Sequence, residues 1–235
     1  MTNFDIKATH ESALEHHVLQ GAAWLLASDS GAKTAAVSYA ALEFRFAIER
    51  LAVHYWRQLL DRTLTQNELE MLGSFKAVEK QIYDLAGHQL EINRHFDFMR
   101  IVLSALSIPT PLHTPNIGLL SRHWHLCSEL CHVSWPLASK VEGLRIKMYT
   151  HLCEVSEALK KNTESLGWPL IKDETFNTIR AEYVAGRIDS PAVTDHLNRI
   201  GIWAEYQAPG ESNARILGTP VPPNSTSIGT TTGEV

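Results

Sequence analysis

Residues 36–61 read AVSYAALEFRFAIERLAVHYWRQLLD, and the fold follows from their periodicity. At about 100° per residue, Val37, Ala40, Ala41, Phe44, Ile48, Leu51, Tyr55 and Leu59 form one apolar face. Leu42, Phe46, Val53, Trp56 and Leu60 form a second. Between the two, Glu43, Arg50, His54 and Arg57 fall within a narrow arc, spread over roughly 21 Å of helix. A surface helix shows a single apolar stripe and a broad charged face. A helix apolar on two sides is packed on two sides and belongs inside a bundle. Its ionisable groups must pair, open into a cleft or take part in chemistry. Pairing of Glu43 with Arg50 in a buried network that fixes helix register is the inert outcome.

Helical periodicity continues outward in both directions, without convincing strand alternation. A first helix is predicted over His10–Ser28, with Ala13, Leu14, Val18, Leu19, Ala22 and Leu25 inward and a turn at Asp29-Ser30-Gly31. His16 and His17 read as exposed and inert. Thr65 and Glu68 form a capping box for a third helix ending at Gly87. A fourth, His88–Leu106, stops before Pro109 and Pro111. The fifth and sixth are predicted over Ile117–Val133 and Leu137–Ser165. A helical hairpin follows, Glu174–Ala185 and Pro191–Ile200, with Gly186 as a left-handed stop and Ser190 as N-cap. The expected organisation is therefore all-α: a bundle of about six helices over 1–167, a hairpin over 168–206 and a structureless tail over 207–235. The tail is rich in Pro, Gly, Ser and Thr, a composition that cannot bury a core.

Composition excludes several classes. With 235 residues, 44% hydrophobic, 20% charged and a formal charge of −5, the chain has no global basic field to attract nucleic acid. Any RNA contact must come from a local cationic patch. Three cysteines are too few for a disulfide framework. A cytoplasmic location with no membrane span and no signal peptide is expected. Phosphate loops, Gly-x-Ser-x-Gly elbows and His-Glu-x-x-His helices are all missing from the sequence. No cofactor is expected. His123, Cys127 and Cys131 have ligand spacing along one helix, but they share their face with Leu120 and Trp124 and read as core.

The fifth helix holds the second cluster of interest. Arg122, His125, Ser128, Glu129 and His132 oppose its apolar side. His125 can meet Glu129 one turn on, and Ser128 can meet His132. Arginine grips phosphate and histidine moves protons near neutral pH, so the cluster suits phosphate handling or acid–base work.

Two stretches resemble the HEPN superfamily of all-helical domains, many of them metal-independent endoribonucleases in toxin–antitoxin and phage-defence systems. One is Ala41-Leu42-Glu43-Phe44-Arg45-Phe46-Ala47-Ile48-Glu49-Arg50, like the acidic and basic early helix of several such families. The other is Leu126-Cys127-Ser128-Glu129-Leu130-Cys131-His132-Val133. The resemblance implies an Arg that holds the scissile phosphate, a His that activates the ribose 2′-hydroxyl and a homodimer with its site across the two-fold. Its usual signature is an Arg and a His separated by four to six residues. Three separate Arg50 from His54, nine separate Arg122 from His132, and five separate Arg145 from His151. Arg50, His54, Arg122 and His132 are thus the expected catalytic set, and Glu43, Arg57, His125 and Glu129 the supporting cluster. Arg145 and His151 are the reserve pair. The competing expectation is a catalytically inactive interaction module, a subunit of a regulatory or defence complex. The C-terminal hairpin, which resembles SHOCT-like appendages, or the tail would then take a partner protein.

Overall fold

The structure, a computed structural model, describes residues 14–60, 65–67, 75–108, 112–131, 142–164, 174–206, 215–218 and 226–228. Its architecture is all-α, as expected. Eight helices occur among the described residues: α1 (Leu14–Ala27), α2 (Thr34–Leu60), α3 (Phe75–Gly87), α4 (Gln89–Ala105), α5 (Ile117–Cys131), α6 (Glu142–Thr163), α7 (Glu174–Val184) and α8 (Ser190–Ile200). None of them is long and apolar enough to cross a membrane. The capping box at Thr65–Glu68 falls partly outside the described residues.

The first of two compact units comprises α1, α2, α3, α5 and α6. α2 is its axis and packs against the other four. The predicted first apolar face is the core: Val37, Ala40, Ala41, Phe44, Ile48, Leu51 and Tyr55 are all buried. The second face is only lightly covered, and Phe46 remains 38% exposed. Trp124 of α5 is fully buried. Tyr55 and Asn162 pair inside this core: Tyr55 donates to Asn162 Oδ1 at 2.8 Å, and Asn162 Nδ2 donates to Ala158 O.

α1 and α2 form an antiparallel hairpin. Its turn needs left-handed backbone at Asp29, Ser30 and Gly31. A side chain at Gly31 would also press on α6, 3.1 Å from Tyr149 Cβ and 3.2 Å from Arg145 O. Two expectations for this hairpin are corrected. Leu19 faces outward at 68% exposure, the inward stripe being Leu14, Val18, Gly21 and Leu25. Trp24, whose large apolar ring reads from the sequence as a core anchor, is 39% exposed and lies against Tyr39. Both follow from α1 being covered along a single stripe.

The second unit joins α4 to α7, α8 and a small sheet. The sequence places residues 90–106 with the bundle, but Phe98, Met99, Val102 and Leu106 share a core with Phe176, Ile179, Val193 and Leu197. Asp189, not Ser190, caps α8, its side chain accepting from Ala192 N at 3.0 Å. Gly186 is left-handed as predicted. After α8, β1 (Ile202–Tyr206) pairs antiparallel with β2 (Arg215–Gly218) and parallel with β3 (Thr226–Ile228). The composition of this stretch gave no sign of those strands.

Candidate functional site

The seam of α2 divides between two neighbours. On the α1 side, Glu43 Oε2 is 2.7 Å from His17 Nδ1, with side-chain exposures of 24% and 12%. His17, expected to be exposed, is therefore mostly covered and paired. Glu43 is held by this imidazole rather than by Arg50. The Phe46 ring lies 5.6 Å from that of His17, and Tyr39 lies 5.0 Å from Trp24. Arg50 is exposed, one turn beyond Phe46 and two beyond Glu43 on the same side of α2. His54 follows half-buried, its ring edge-on to Tyr55. The side chain of Arg57 is outside the described residues.

On the α5 side, a different ion pair fixes register. Arg45 Nε meets Glu49 Oε1 at 2.8 Å, and the same oxygen accepts from Trp124 Nε1 at 2.9 Å. The Arg45 guanidinium sits over the Trp124 ring. Burial pushes the Cys127 and Cys131 thiols up, against the lowering charge of Arg45. A carboxylate that binds both a cation and an indole within a helix interface is structural.

α5 presents Arg122 and Glu129 outward. His125 does not rely on Glu129: its Nε2 lies 2.8 Å from Tyr83 Oη and 3.8 Å from Glu79 Oε1, both on α3. His123 is buried, and burial lowers its pKa, with Glu154 opposing and Arg122 and His151 adding to the fall. The reserve pair, Arg145 and His151, lies on α6. His151 belongs to the surroundings of His123, whereas Arg145 packs at the Gly31 turn with a buried Nε that has no hydrogen-bond partner. His132 lies outside the described residues. Among the described residues, no group of three or more His, Cys, Asp or Glu is arranged to hold a metal ion.

No protein family, characterised protein or solved structure matches the chain. Its chemistry has to be argued from side chains, and two surfaces compete. The α3–α5 cluster offers an imidazole, a phenol and one cation, Arg122, but it carries the carboxylates of Glu79 and Glu129. An anionic substrate meets net repulsion there. The α1–α2 face offers Arg50, three aromatic rings that are 38–51% exposed (Trp24, Tyr39, Phe46) and an imidazole whose carboxylate neighbour is already engaged. Aromatic faces and an exposed cation suit a single-stranded nucleic acid. His17, Trp24 and Tyr39 are the site residues that sequence reasoning missed. Part of their signal was available: His17 and Glu43 stand equidistant from the Asp29–Gly31 turn, as facing positions of an antiparallel hairpin must.

Proposed function

We propose that this chain is a HEPN-like RNA-binding protein of the cytoplasm that cleaves single-stranded RNA without a metal ion, as a homodimer in a defence or toxin–antitoxin setting. The observation that supports this reading best is the α1–α2 face, where exposed Arg50 lies along the same helix side as half-exposed Phe46, with the Trp24–Tyr39 pair further along α2. Arginine grips phosphate as a planar fork of donors. Aromatic rings accept bases of any sequence, each worth about 1–3 kcal/mol. With a chain charge of −5, attraction is local, and affinity should fall steeply with salt.

The test is binding and cleavage of a varied single-stranded RNA pool in EDTA. Tyr39→Ala is expected to weaken binding about 5- to 100-fold, following the stacking energy above. Arg50→Ala is expected to weaken binding and flatten its salt dependence. An inactive interaction module is the second reading, supported by the chain's acidic net charge of −5. It predicts no RNA binding by the folded protein and capture of a partner through the C-terminal unit.

A further inference from the structure

We infer that His17 is the proton-transferring residue of the α1–α2 face and that Glu43 is its positioning partner; the inference rests on the RNA reading above. The geometry is specific. Glu43 engages Nδ1 at 2.7 Å, which fixes ring orientation and leaves Nε2 as the working nitrogen, the logic of any carboxylate–imidazole pair. Nε2 is buried and makes no hydrogen bond. An unsatisfied buried polar atom costs about 1–3 kcal/mol, and such atoms call for an explanation, a catalytic role among them. A substrate hydroxyl reaching Nε2 would relieve that cost.

Access runs past Phe46, whose half-exposed ring sits against the imidazole. A base stacking on or displacing this ring would bring its own ribose to His17. Arg50 is one turn beyond Phe46 on α2, about 6 Å along the axis, and would hold a phosphate on the same helix side as the ring that lies against the imidazole.

The reaction is a transesterification that needs no co-reactant. Nε2 takes the proton from the ribose 2′-hydroxyl, the 2′-oxygen forms a bond to phosphorus, and the P–O5′ bond breaks. The departing 5′-oxygen takes a proton from the imidazolium. The products are a 2′,3′-cyclic phosphate and a 5′-hydroxyl, and His17 returns neutral. Arg50 balances the charge on the phosphoryl oxygens throughout.

The experiment measures binding and EDTA-resistant cleavage of single-stranded RNA by the full chain and its variants, with folding checked by circular dichroism. His17→Gln should lose about 100-fold or more in kcat while its Kd for RNA stays within about threefold. Free imidazole should restore part of the rate to His17→Ala. Glu43→Gln, which preserves shape, should lower kcat with KM unchanged, a split that a merely structural role would not produce. Cleavage that survives in folded His17→Gln overturns the assignment and leaves the RNA reading standing. Binding by the wild type without cleavage also overturns it, while RNA binding stands. Neither binding nor cleavage by the wild type removes both.

Discussion

The distance between α1 and α2 is set at one residue, Gly21, and replacing it tests both the packing and the site. Gly21 is in the middle of a helix, where alanine is ordinarily better by about 1 kcal/mol. On propensity alone Gly21→Ala should stabilise. The structure predicts the reverse. A Cβ at this position would lie 3.0 Å from Phe44 Cζ and at most 2.5 Å from Cδ1 and Cε1. The Phe44 ring is fully buried, so it cannot swing into solvent. Overpacking of this kind costs about 1–3 kcal/mol, and contact with three ring atoms places it near the upper end. The net effect is a destabilisation of about 1–2 kcal/mol. For a chain of this size each kcal/mol lowers Tm by about 2–4 °C.

A double-mutant cycle isolates the contact. Phe44→Leu alone destabilises by losing buried ring surface, but it also removes the obstacle to Cβ. Gly21→Ala added to Phe44→Leu should therefore cost at least about 1 kcal/mol less than it does in the wild type. Chemical denaturation of the four proteins reads this directly. His17 is one turn before Gly21, so forcing the helices apart should also weaken its contact with Glu43 and slow any cleavage by the α1–α2 face. Stabilisation by Gly21→Ala, or additive effects of the two substitutions, would refute the close approach and everything argued from it.

Three further outcomes follow from the same reasoning. Glu49→Ala should cost about 2 kcal/mol, because it removes the carboxylate that accepts from both Arg45 and the Trp124 indole in the α2–α5 interface; its exposed neighbour Arg50→Ala should stay within about 0.5 kcal/mol, and equal effects in urea denaturation would contradict the assignment of the two flanks. Tyr55→Phe should cost about 1–3 kcal/mol, since Asn162 Oδ1 loses its buried donor; a neutral result in thermal unfolding would mean that water replaces the hydroxyl. Burial, with the charge of Arg180, pushes His95 down to about 3 from an unfolded value of 6.5. The unfolded chain therefore binds the extra proton, and stability falls as pH drops through the window between those values. By pH 4.5 the loss approaches about 2–3 kcal/mol; it should vanish in His95→Gln, and acid titration of both proteins checks it.

Legibility in the sequence tracked the range of the interaction. The α2 core face was readable because helical period alone puts Val37, Phe44, Ile48 and Leu51 on one side, and burial then has no alternative. Boundaries set by glycine and proline were readable for the same local reason. Partner choice was not. Glu43 had Arg50 two turns away as a natural mate, and nothing in the local pattern ranks that pair below one with His17, 26 positions upstream. What decides is tertiary: α1 returns along α2 at a separation that Gly21 permits, and the imidazole arrives first. The residues of α4 failed likewise, since Phe98 and Val102 fit a bundle core as well by period as they fit the core with Phe176 and Val193. Register across a short helical turn is the missing rule. Applied to the Asp29–Gly31 turn it pairs His17 with Glu43, so that contact was legible in the sequence, whereas Trp24 and Tyr39 stand at unequal distances from the turn. Arg45, Glu49 and Trp124 join helices separated by most of the unit's length, and no turn rule reaches that far.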